Sequence, residues 1–128
     1  MKHQHVANKP KPGPVLRNWR RIAVDGGMAI LIGEVSGHPL LGDGWMTSSP
    51  LLAFEPASGW AQTESRRYVL AEPYPDDCAL PDAAVDALVS RMLAGVGALA
   101  LEDLPRALAE FETIARKLAE PIAAETRH

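Results

Sequence analysis

Cysteine is almost absent from this chain. Cys78 is the only one in 128 residues, so no internal disulfide is expected and a reducing compartment fits. Long apolar runs are missing too. The longest in the first half, Met28 to Ile32, falls far short of the roughly 20 residues that a bilayer span needs, so no membrane partner is expected. The N-terminus, MKHQHVANKPKPGP, has no apolar segment after its basic residues, which argues against a secretory signal and for a cytoplasmic location. High-specificity catalytic signatures are also lacking: no phosphate-binding Walker loop, no dinucleotide glycine fingerprint, no paired CxxC, no HExxH helix and no nucleophile elbow. These absences weigh against an enzyme and imply no cofactor. His3 and His5 have HxH spacing but no second cluster to complete a metal site, so no metal is expected.

What remains is ordinary globular material. The apolar fraction is 47% and the charged fraction 23%, which excludes wholesale disorder and leaves one domain as the expectation. The net charge of −3 is unevenly spread. Met1 to Ala71 carries eight Lys/Arg against five acids, and the remainder carries five against eleven. The chain is therefore dipolar; an acidic helical layer serves first to keep the protein soluble, and as the alternative it offers a face that can orient a partner.

Residues 1–14 hold three prolines and three lysines without apolar periodicity, and read as a flexible arm before a single domain over 15–128. Period-two patterning predicts strands over Val15–Val24, Met28–Ser36, Trp45–Glu55 and Trp60–Leu70, punctuated by Asp25-Gly26-Gly27, Gly37–Gly44 and Pro56–Gly59. Pro50 lies inside the third strand and lacks an amide donor, which demands an edge or a bulge there and conflicts with a simple meander. After a Pro-punctuated linker the period changes to 3.6. Helices are expected over about 81–95 and 103–120, with Asp103 capping the second. The predicted fold is α+β: an antiparallel sheet of about four strands (15–71) with two helices packed on one face. In the second helix Leu104, Leu108, Phe111, Ala115 and Leu118 form an apolar stripe that serves either as core or as the seam of a homodimer.

Candidate site residues come from the sheet. His38, Asp43 and Thr47-Ser48-Ser49 contain the residue types of a base, its orienter and a nucleophile, but His38 before Pro39 and Asp43 before Gly44 are better explained as turn formers. No catalytic residue is assigned. Arg17, Trp19 and Arg21 are expected on one face of the first strand, and Trp60, Arg66 and Tyr68 on one face of the fourth, with Arg67 beside them. Exposed together, these residues would form a platform for stacking bases and pairing phosphates. Buried, the aromatics would be core, and with three Trp, two Tyr and two Phe in the chain the core has need of them.

Taken together, Trp19-Arg20, Gly33-x-Val35-x-Gly37-His38-Pro39, Thr47-Ser48, Gly59-Trp60-Ala61-x-Thr63-x-Ser65-Arg66 and Tyr68-x-Leu70 resemble a family of small bacterial proteins of uncharacterised function. The resemblance brings no activity or catalytic residue with it. In size and composition the chain is also similar to accessory proteins of phages and mobile elements that inhibit host systems. The reading that follows is a small non-enzymatic binding protein acting through a protein partner. The alternatives are a nucleic-acid-binding module using the Trp and Arg residues, an inhibitor of a host system, and a small hydrolase using His38.

Overall fold

A computed structural model describes residues 13–38, 40 and 42–122. Most of the predicted arm, with His3 and His5, lies outside the described residues, as does Pro39. The strands are β1 (Val15–Val24), β2 (Met28–Ser36), β3 (Gly44–Thr47), β4 (Leu51–Glu55), β5 (Trp60–Thr63) and β6 (Arg67–Leu70), followed by the helices α1 (Asp82–Gly95) and α2 (Leu104–Leu118). The α+β class holds, but four antiparallel strands become a six-stranded mixed sheet of order β3-β2-β1-β6-β5-β4. All pairs are antiparallel except β1 with β6.

Both corrections have local causes. The predicted third strand breaks at Ser48–Pro50, because proline cannot donate to a ladder, and its halves become the two opposite edges of the sheet. The predicted fourth strand breaks at Glu64–Arg66, where Thr63 closes a tight turn: its amide donates to the Arg66 carbonyl at 2.9 Å and its hydroxyl accepts from the Arg66 amide at 3.2 Å. Asp103 makes no side-chain cap; it ends a short 3₁₀ turn, Leu101–Asp103, that leads into α2.

The link between β3 and β4 dictates the shape. Four Cα steps from Thr47 to Leu51 span at most about 14 Å, whereas the edges of a flat six-stranded sheet lie about 24 Å apart. The sheet must therefore curl toward a barrel, which brings β4 up to β2. One apolar cluster fills the inside of the curl: Leu16, Leu31, Val35, Met46, Ala61, Tyr68 and Leu70, with Trp19, Leu51 and Phe54 against them. A second lies on the outer side, where Ile22, Ile30 and Ile32 meet Ala84, Val85 and Leu88 of α1, Ala115 of α2 and Ala119 just beyond it. Each large side chain fully buried here contributes about 1.5–3 kcal/mol.

A bulge in β1 connects the two clusters. The register slips by one residue between Arg17 and Arg20, and Asn18 adopts φ 50° while its side-chain Nδ2 donates to Glu34 Oε2 at 2.7 Å. Gly33 faces the bulge so closely that a Cβ there would lie 2.9 Å from Leu16 Cγ and 3.0 Å from the Arg17 carbonyl oxygen. The slip turns Arg20 toward the helical side, where it is buried. Its guanidinium donates to the carbonyls of Pro75 (2.6 Å), Cys78 (2.8 Å) and Glu120 (3.2 Å), tying the linker and the end of α2 to β1.

Two stability outcomes follow from this geometry. Gly33→Ala should cost about 1–3 kcal/mol by overpacking, whereas Gly95→Ala at the open end of α1 should be neutral or stabilising; urea midpoints compare them. Arg20→Met, which keeps the length but removes the donors, should cost at least about 2 kcal/mol. It should also speed amide exchange at Leu80 and Ile122, whose amides bond to Ala119 and Asp76 across the same junction. An unchanged midpoint would show that the buried charge is dispensable.

Candidate functional site

The two aromatic and basic faces expected from strand periodicity do not form. The bulge sets Arg17 on the opposite face from Trp19 and Arg21. Trp19 packs into the curl, its indole N–H donating to the Ala71 carbonyl at 2.9 Å and its ring meeting Phe54 edge-on at 5.6 Å. Arg21 is exposed, with its guanidinium 5.9 Å from the Phe54 ring. In β5 and β6 the break at Glu64–Arg66 likewise separates Trp60 from Tyr68: Trp60 pairs with Val69, and Tyr68 pairs with Ala61 in the interior.

Three groupings replace them. On the outer face Arg67 lies 4.2 Å above the Trp60 ring, its Nε donating to Gln62 Oε1 at 3.3 Å. The pair is self-satisfied, and it covers one face of the indole. At the far end of β2, His38 is buried with its ring 6.4 Å from that of Tyr68. Its Nδ1 accepts from the Leu40 amide at 3.1 Å, which places the proton of the neutral ring on Nε2. Burial holds the imidazole below the usual histidine range, and the nearby Arg66 charge lowers it further. Burial also raises the Tyr68 phenol, with Arg66 opposing. So His38, Arg66 and Tyr68 do converge, as a neutral imidazole and a neutral phenol beside a cation.

Asp43 and Ser48 bond to backbone groups. Asp43 accepts from the Gly37 amide at 3.3 Å, and Ser48 is buried with its Oγ accepting from the Leu31 amide at 3.0 Å and donating to the Ser49 carbonyl at 2.7 Å. Both act in turns and junctions. Among the described residues no three His, Cys, Asp or Glu side chains are placed to share a metal ion.

The third grouping was not foreseen. A hollow of about 360 Å³ between β3 and α1 is lined by Asp43, Trp45, Thr47, Ser90 and Arg91. Arg91 is already used, donating to the Ser48 carbonyl at 2.7 Å and anchoring α1 to the β3–β4 link. The larger unforeseen feature is apolar. Among the described residues the exposed large hydrophobics are Met28, Leu40, Leu52, Val96, Leu99, Leu101, Leu108 and Ile114, and the last five fall within the connection and the first three-quarters of α2. The α2 stripe is divided: Ala115 is buried and Leu104, Phe111 and Leu118 are half-buried, while Leu108 is 37% exposed. The sequence signal for this surface was the apolar content of residues 96–101, where no helical face accounts for it.

The model of a family of unknown function, DUF6634, matches residues 6–124. No curated protein and no solved structure matches the chain.

The His38 environment has a pH signature. Its pKa is lowered in the fold, so the unfolded chain binds the extra proton first, and stability is complete above the ordinary value of about 6.5 and lost as pH falls below it. His38→Phe should remove that part of the decline, as urea midpoints measured between pH 7.5 and 5.5 would show. An unchanged slope would mean that His38 titrates freely.

Proposed function

Since this chain belongs to the DUF6634 family of unknown function, which brings no assigned activity, we propose from its geometry that it is a non-enzymatic, cytoplasmic protein-binding module. Its contact surface is the α1–α2 connection together with Leu108 and Ile114 of α2. The observation that carries this reading is the concentration of Val96, Leu99, Leu101, Leu108 and Ile114, exposed by 37–86%, in one stretch of 19 residues. Exposed acids, Glu102, Asp103, Glu110 and Glu112, and one exposed base, Arg106, alternate with these residues along the chain, as charged groups do at the rim of a contact site. A second copy related by a two-fold axis is the simplest occupant, because it matches one apolar surface with another and closes the assembly. The neutral, turn-engaged state of His38 and Ser48 supports binding over hydrolysis. The inward packing of Trp19 favours a protein over a nucleic acid.

Leu101→Glu with Ile114→Glu leaves the core untouched and should weaken association at least tenfold while the urea midpoint stays within about 0.5 kcal/mol of the parent. Sedimentation equilibrium reads self-association and affinity capture from the host reads other partners. Leu108→Glu should give a folded monomer. A parent protein that stays monomeric at high concentration and captures nothing that the double variant loses would overturn the reading.

A further inference from the structure

The curl of the sheet leaves one seam unpaired, and its chemistry specifies what fills it. Among the described residues β4 forms a ladder only with β5, which leaves its other edge unpaired there. Across from it, β3 ends at Thr47 and pairs only with Ile32–Val35, which leaves the first part of β2 with β1 as its sole partner. The peptide groups there have a determinable direction. Leu31 turns both its amide and its carbonyl away from β1: the carbonyl accepts from the Ser48 amide at 2.8 Å and the amide donates to Ser48 Oγ at 3.0 Å. In an antiparallel ladder the direction repeats every second residue, so Ala29, paired with Ala23 in an unbroken register, directs its N–H and C=O the same way. Ala29 is buried, and among the described residues no strand forms a ladder with it on that side.

Between these edges lies a hollow of about 540 Å³ lined by Met28, Pro50, Leu51, Leu52, Glu64 and Ser65. Leu52 is the extra residue of a second bulge, in β4 between Leu51 and Ala53, and the bulge turns it outward to 68% exposure. Met28 is 49% exposed on the opposite wall. Glu64 is the only charge in the lining.

We infer that the seam is a strand-addition site for an extended segment of a partner protein, one with apolar residues at alternate positions and a lysine or arginine placed to meet Glu64. Backbone edges on both walls, not only an apolar floor, select an extended chain over a helix or a small molecule. The inserted strand takes the place of the direct approach of β4 to β2, so the seam widens by one inter-strand spacing, about 4.8 Å; it pairs with Ala29 on one side and lays its apolar side chains on Met28 and Leu52. The site is separate from the α2 surface, and the two are tested by different variants.

The test uses the full chain and a fluorescein-labelled eight-residue peptide of alternating valine and lysine, read by fluorescence anisotropy at low ionic strength. Saturable binding is expected, with the Ala29 amide gaining protection from hydrogen exchange. Affinity should drop at least tenfold for Leu52→Asp, for a peptide N-methylated at alternate backbone amides, and for a valine–glutamate peptide. Glu64→Lys should reverse the preference between the two charge types. Absence of binding to the parent chain, or equal binding of the N-methylated peptide, would overturn the proposal. So would binding that appears only after residues 1–12 are deleted, which would identify the chain's own N-terminal segment as the occupant. Concentration-dependent dimerisation abolished by Leu52→Asp would assign the seam to a second copy and overturn it as well.

Discussion

A single buried guanidinium fixes how the helical layer sits on the sheet. Arg20 reaches from β1 to three carbonyls, two in the linker after β6 and one just beyond α2. Burial pulls its pKa down, opposed by Asp76, Tyr74 and Cys78, and a guanidinium starts so far above neutrality that it stays charged. A buried cation is costly to desolvate, and here the carbonyls supply most of the replacement; Nε alone is left buried without a partner. The arrangement also draws on the α2 dipole, since the C-terminal carbonyls of a helix carry partial negative charge and attract a cation. By contrast, the Arg116 contacts to Asp82 and Glu112 are solvent-exposed ion pairs and add little.

Arg20 can occupy that position only because β1 is bulged. In an unbroken strand Arg20 would share a face with Asn18, and the Arg17 face would alternate away from it. The extra residue at Asn18–Trp19 restores Arg17 and Arg20 to one side and sends Trp19 to the other. One local irregularity thus supplies the interior with its largest aromatic and the helical side with its clamp. Gly33 is the enabling residue, because any side chain there would collide with the bulged backbone.

The first hairpin was legible in the sequence since its evidence is local: β-branched residues on both sides of Asp25-Gly26-Gly27 place β1 and β2 directly. The helices were legible for the same reason, from apolar spacing along one face. The two later strands were not, because each of the long period-two runs conceals a break. Pro50 announced the first by conflicting with an interior strand, and Thr63 announced the second by being able to bond its own backbone three residues on. A break shifts every later side chain by one face. For that reason the expected grouping of Trp60 with Tyr68 failed, while the convergence of His38 with Arg66 and Tyr68, which depends on how β2 and β6 meet across the curl, had no local signal. The open seam had none either, since unpaired edges are a property of strand order.

Both apolar surfaces lie near one end of the β1–β2 hairpin. Met28 lines the seam and pairs with Val24. Val24 in turn lines an apolar hollow of about 300 Å³ with Met92, Val96 and Leu118, where the exposed α1–α2 connection begins. The opposite end of the hairpin is polar: Arg17, Glu34, Ser36 and Asp43 surround the hollow there. Met28, Leu52 and Val96 thus gather apolar exposure near this end of the hairpin, while Leu40 lies exposed beyond the opposite end of β2. The helical layer reaches the first of these ends: Arg91 anchors α1 to the β3–β4 link, Val85 and Leu88 pack on Ile30 and Ile32 of β2, and the last turn of α1, with Met92 and Val96, therefore meets Val24 beside the hairpin turn, where the exposed connection departs.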